Sequence, residues 1–213
     1  MADKTQVLKI DPKIISQDKQ ECIVRVLAKG GVIVYPTETF YGLGANCFDR
    51  KAVRKIYRLK HRTLSKPLPL VISDLEMLKQ VVSEVPPVFQ RLASAFWPGP
   101  LTLIMKAAPR VLKEIKGTSG SVGVRLTDHS WLRDLIRLIG FPLTATSANI
   151  SGQAEISDPR KAIEVFEGKV DLIVDGGHTL GVLPSTVLDL TPDSPQILRE
   201  GAVSVRDINK SLG

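Results

Sequence analysis

Apolar and polar positions along this chain switch repeatedly between a helical and an extended period, and the alternation sketches an α/β protein. Apolar residues from about Pro12 to Lys29 fall at helical spacing and Gly30-Gly31 ends the run, which predicts a helix over 12–29. Val32-Ile33-Val34-Tyr35 follows, a short β-branched run halted by Pro36, and predicts a buried strand. Asp49 is a candidate N-cap for a helix reaching Leu59, with Val53, Ile56 and Tyr57 on one face. Strands are predicted at 68–72, 101–105, 122–126 and 142–146, and helices at 74–82, 88–96 and 131–139. Asp158-Pro159 opens another helix with proline at its first position, and Gly168 closes it. The last strands are predicted at Leu172-Ile173-Val174, Thr186-Val187-Leu188 and Ile197-Leu198, with little helix between the final ones. That order predicts an α/β fold with a mixed, twisted sheet rather than a doubly wound one.

Composition narrows the class. A chain of 213 residues with 43% hydrophobic and 24% charged residues can build a full core. A single domain over 1–213 is expected, its core running from about 15 to 205. No apolar run is long enough to span a bilayer, and the polar start Met1-Ala2-Asp3-Lys4 lacks the apolar stretch of an export signal. A cytoplasmic location away from membranes is the resulting expectation. Cys22 and Cys47 are far apart without CxxC spacing, and His61, His129 and His178 do not cluster with them. Free thiols and no protein-held metal are expected. The net charge of +7 favours an anionic partner without distinguishing a nucleotide from a nucleic acid.

The cations are concentrated in one stretch: Arg50, Lys51, Arg54, Lys55, Arg58, Lys60, Arg62 and Lys66. Its first part shares a helix with an apolar face and reads as a solvated surface. Lys60-His61-Arg62 falls at or past the helix end, in a polar loop halted by Pro67, where cations could converge on a triphosphate. Thr146-Ser147-Ala148-Asn149-Ile150-Ser151-Gly152 follows an apolar strand and offers hydroxyls and an amide for phosphate, ribose or carboxylate. By spacing alone it reads rather as a Ser/Asn turn bonding its own backbone. Gly42-Leu43-Gly44 and the glycine-rich 117–123 segment match neither GxGxxG nor a Walker A loop. Trp97-Pro98-Gly99-Pro100 reads as a rigid turn, and no histidine stands in a nucleophile pattern.

Seven blocks, in order, resemble the YrdC/TsaC family of threonylcarbamoyl-AMP synthases from about Gly30 to Ser204. They are Tyr35-Pro36-Thr37-Glu38-Thr39-Phe40-Tyr41-Gly42-Leu43-Gly44; Lys60-His61-Arg62 with Lys66-Pro67-Leu68; Trp97-Pro98-Gly99-Pro100-Leu101-Thr102; and Val122-Gly123-Val124-Arg125. Ser147-Ala148-Asn149-Ile150-Ser151-Gly152, Pro184-Ser185-Thr186-Val187 and Leu198-Arg199-Glu200-Gly201 complete the set. Phe40 and Gly123 depart from the valine and alanine common in the family.

The resemblance implies a YrdC-like twisted α/β sandwich with a basic concave site, of the short single-domain type. It implies synthesis of threonylcarbamoyl-AMP and pyrophosphate from L-threonine, bicarbonate and ATP with Mg²⁺, a nucleotidyl transfer. A partner complex would then modify a tRNA adenosine, and weak RNA binding stays open. Carried over residue by residue, Lys60, Arg62, Ser147 and Asn149 are the expected catalytic set. Lys60, Arg62, Ser121, Ser147, Asn149 and Arg199 would bind ATP, and Thr37, Arg125 and Ser185 would bind threonine. The KxR and SxN pairs, absent from a paralogous branch, are both present. Two rival readings are an RNA-binding module and a carbamoyltransferase related to hydrogenase-maturation proteins. The first lacks aromatics among the cations, and the second lacks zinc-finger-like cysteines and the length.

Overall fold

The computed structural model describes residues 4–117, 120–181 and 183–213; Thr118 and Ser119 of the glycine-rich segment lie outside them. The first half runs β1 (Gln6–Lys9), α1 (Gln17–Ala28), β2 (Ile33–Pro36), β3 (Tyr41–Gly44), α2 (Arg50–Leu59), β4 (Leu70–Ile72), α3 (Leu75–Leu78) and α4 (Phe89–Phe96). Next come β5 (Leu101–Lys106), β6 (Ser121–Leu126), α5 (Ser130–Ile139), β7 (Leu143–Thr144) and β8 (Thr146–Ser147). The chain finishes with α6 (Pro159–Phe166), β9 (Leu172–Asp175), β10 (Thr186–Asp189), β11 (Gln196–Arg199) and α7 (Val205–Leu212).

The strands form two mixed sheets, ordered β1-β9-β2-β3-β8 and β11-β10-β5-β6-β4-β7. The expected mixed α/β sandwich is present, its strands divided between two sheets. The predicted strand at 142–146 is where they meet: β7 pairs with β4 in one sheet, and β8 pairs with β3 in the other. Each pair is short, so a pattern of apolar residues cannot show that the strand changes partners.

Three elements escaped the periodicity. β1 is a largely exposed edge strand paired in parallel with β9 and carries no alternating core face. β3 is Tyr-Gly-Leu-Gly, poor in strand formers, and its glycines are explained by packing. A Cβ at Gly44 would stand 2.7 Å from Cε1 of buried Tyr35, so only glycine lets the two strands close over that ring. α7 is amphipathic, but only Ile208 is buried. The helix predicted over 12–29 is shorter than expected, starting at Gln17, because Asp11 and Ile14 form a tight bridge first.

α2 shows how local sequence positions the site. Asp49 Oδ1 caps it, accepting from the backbone N–H groups of Lys51 (2.8 Å) and Ala52 (3.1 Å). Val53, Ile56 and Tyr57 are buried on its inner face, each contributing about 1.5–3 kcal/mol by leaving water. The outer cations are not simply solvated as the charge pattern suggested. Arg54 Nε donates to Glu114 Oε1 at 2.8 Å, Arg50 lies 3.6 Å from the same oxygen, and Lys55 pairs with Asp171 at 2.7 Å. Tyr57 adds a hydrogen bond from its hydroxyl to the Glu114 carbonyl (2.6 Å), so α2 clamps the chain leading towards Ser121.

Candidate functional site

Between the two sheets lies a cavity of about 460 Å³. Its walls come from β2, β3 and β8 on one side and β4, β5, β6, β10 and β11 on the other, with the loops 37–40 and 62–69 closing over it. This size suits a small molecule rather than a macromolecule. Its charged lining is mostly cationic: Arg62, Lys66, Arg125 and Arg199 face it, against the carboxylate of Glu155 among the described residues.

Seven of the residues singled out from the sequence line this cavity: Thr37, Arg62, Ser121, Arg125, Ser147, Ser185 and Arg199. They come from six separate segments, Ser121 and Arg125 sharing β6, which only the fold brings together. Arg62 is braced by its own loop, donating from Nε to the Lys66 carbonyl (3.1 Å) and from Nη2 to the Pro67 carbonyl (2.9 Å). Arg199 is braced in the same way, with Nε and Nη2 donating to the Ser185 carbonyl at 3.1 and 2.8 Å. The Ser185 hydroxyl is 3.0 Å from that of Thr102, and Thr37 Oγ1 donates to the Phe40 carbonyl at 2.6 Å. Such bracing fixes side chains on rigid supports, as recognition of a planar anion requires.

Lys60 and Asn149 are placed differently from the expectation that they face the triphosphate. Both sit behind the cavity wall, 2% and 8% exposed. Lys60 Nζ donates to the Ser147 carbonyl (2.5 Å), the Asn149 carbonyl (2.8 Å) and Asn149 Oδ1 (2.7 Å), using all three of its protons. Asn149 Oδ1 also accepts from the Ser147 hydroxyl (2.8 Å), while Nδ2 donates to the Gln153 carbonyl (2.6 Å). Burial, reinforced by the Arg62 charge, lowers the Lys60 ammonium from its ordinary value to about 8. The physical cause of the placement is the end of α2. His61 adopts a left-handed backbone (φ 50°), so Lys60 finishes the helix pointing inward and Arg62 turns towards the cavity.

Several lining residues went unselected in the sequence. Lys66 belongs to the cationic stretch and Thr102 to a recognised block, though neither was given a role, and Glu155 carried no signal. Behind that lining, Glu38 was also unselected and is the most consequential: it forms an ion pair with Arg125, both side chains almost wholly buried. Among the described residues no group of three or more His, Cys, Asp or Glu is placed to hold a metal ion, and no helix is long and apolar enough to cross a membrane.

Comparison with known proteins agrees with this geometry. Threonylcarbamoyl-AMP synthase of Pyrococcus abyssi is 39% identical over 198 residues, covering 91% of this chain and 58% of its own. The synthase of Bacillus subtilis is 37% identical over 190 residues, covering 88% and 55%. The crystal structure of P. abyssi Sua5 complexed with L-threonine superposes with a TM-score of 0.93 at 37% identity, over 98% of this chain and 61% of that one. The chain thus spans somewhat over half the length of these relatives. The Sua5/YciO/YrdC family model, described as telomere recombination, matches residues 25–201, and the chain belongs to that family.

Proposed function

We propose that this protein is a threonylcarbamoyl-AMP synthase, a nucleotidyltransferase using L-threonine, bicarbonate and ATP. The observation that carries the reading is the cavity itself, where arginines and hydroxyls from six segments converge between the sheets of a fold shared with an L-threonine-bound relative. The threonine amine takes up CO₂ as a carbamate, whose oxygen attacks the α-phosphorus of ATP and expels pyrophosphate. Little covalent work falls to side chains, so alignment and charge neutralisation dominate.

Arg62 and Arg199, both lining the cavity, are the proposed clamps on the triphosphate, with Ser121 and Ser147 bonding nucleotide or phosphate oxygens. Thr37, Arg125 and Ser185 would hold threonine, Arg125 at its carboxylate. Lys60 and Asn149 enter the proposal as the frame that presents Ser147. Mg²⁺ would arrive with ATP as the counter-ion of its phosphates, since Glu155 is the one carboxylate among the described cavity-lining residues. The product would pass to a tRNA-modifying threonylcarbamoyl transferase complex in the cytoplasm.

The test is pyrophosphate release by purified protein given ATP, Mg²⁺, bicarbonate and amino acid. Release should require threonine and bicarbonate together. Serine, which lacks the methyl, should lose about 1–3 kcal/mol of discrimination and remain a poor substrate. Equal rates with threonine, serine and no amino acid would overturn the reading.

A further inference from the structure

Arg125 and Glu38 occupy opposite sides of one wall. Arg125 projects from β6 into the central cavity, while Glu38, in the turn between β2 and β3, lines a separate recess of about 360 Å³ with Asp128 and His129. Their side chains meet through the wall, Arg125 Nη1 donating to Glu38 Oε1, with 8% and 13% of each exposed. The second carboxylate oxygen is also held: Oε2 accepts from Thr127 Oγ1 at 3.0 Å. Thr127 is itself wholly buried, and its hydroxyl oxygen accepts from the His129 backbone N–H at 3.2 Å. The chain of contacts is therefore anchored at the start of α5. Arg125 Nε and Nη2 have no acceptor among the described residues.

A guanidinium is a planar fork, and its value for a carboxylate depends on the orientation of that plane. A buried arginine tied at one nitrogen by a carboxylate, itself tied at both oxygens, has little freedom to rotate. We infer that Glu38 is a positioning residue: from behind the wall it fixes the Arg125 fork so that its remaining edge receives the substrate carboxylate. The inference rests on the proposed function, which gives Arg125 that ligand, and adds the residue and the hydrogen-bonded chain that aim it. Glu38 would touch Arg125 and not the amino acid.

The distinction can be measured by giving the site ligands with and without a carboxylate. L-Threonine and L-threoninamide are titrated calorimetrically into wild type, Glu38→Gln and Thr127→Val, with ATP titrated as a control. Glu38→Gln should weaken threonine at least tenfold while threoninamide and ATP stay within about twofold of wild type. Thr127→Val, nearly isosteric and one step further back, should weaken threonine about threefold with the same selectivity, and it decides the matter if Glu38→Gln does not fold. In pyrophosphate release the loss should appear in KM for threonine and not in kcat. Equal losses for threonine and threoninamide would place Glu38 on a group common to both ligands, and unchanged threonine affinity in both variants would remove its role; either result overturns the inference alone. Wild type that binds no threonine would overturn the functional reading and this inference with it.

Discussion

Lys60 and Arg62 stand two residues apart in one cationic loop, yet they belong to opposite kinds of environment. Arg62 faces an open cavity and is steadied by two carbonyls of its own loop. Lys60 is buried with every proton given to the Ser147–Asn149 segment. The same contrast separates Ser147, on the cavity wall, from Asn149 behind it. Two motifs read as ligand sets are therefore each half cavity wall and half internal fastening. A cation spacing identifies the loop, but not which of its charges is left for a substrate.

The contrast is broken most severely at Lys60. Lys60→Met should strand the Asn149 carbonyl, at about 1–3 kcal/mol for a buried group left unsatisfied, and take a second hydrogen bond from both the Ser147 carbonyl and Asn149 Oδ1. A melting temperature lower by about 6 °C or more is expected in differential scanning calorimetry. A variant that melts like wild type would show that the node holds nothing together. Arg62→Ala is the counterpart. Turnover should fall about a hundredfold, equivalent to about 2.7 kcal/mol, while the melting temperature moves by less than half the Lys60→Met shift. Parallel effects on activity and melting at both positions would erase the distinction.

A smaller effect follows from pH. Lys60 loses its proton in the native state at about 8, whereas the unfolded chain keeps it to the ordinary lysine value near 10.5. Between those values the unfolded state binds more protons, so this group makes stability rise with pH and not fall. At pH 9 about nine-tenths of native Lys60 is neutral, and Nζ has one donor fewer for its three acceptors. Pyrophosphate release should thus decline severalfold between pH 7.5 and 9 without a matching loss of melting temperature. A decline that tracks melting would assign the limb to unfolding instead.

The smallest expected difference sharpens the comparison on α2. Arg54 is paired with Glu114, which is 6% exposed and has Oε2 buried without a partner among the described residues. Lys51 is exposed and has no ion pair among the described residues. Arg54→Ala should cost about 1 kcal/mol in urea unfolding and Lys51→Ala close to nothing, with turnover within a few-fold in both. Equal midpoints would mean the Arg54–Glu114 pair is as weak as an ordinary surface contact.

What the sequence determined by itself was the set of strongly periodic elements and the blocks around the site. The Asp49 cap, the apolar face of α2, and the Asp158-Pro159 helix start are local signals, and the structure contains each of them. The ordered blocks also sufficed to select Thr37, Arg62, Arg125, Ser147, Ser185 and Arg199, with Ser121 just ahead of one of them, and these residues share one cavity. Tertiary structure decided what no local pattern encodes. The exchange of sheets between Thr144 and Thr146 depends on which edges β4 and β3 leave open. The glycines of β3 answer to the ring of Tyr35 across the strand pair. Glu38 finds Arg125 across 87 residues of sequence, and Lys60 finds Asn149 across 89. A side chain's chemistry is written in its residue type, but whether its donors remain for a ligand depends on acceptors that distant segments deliver, and only the folded chain sets those distances.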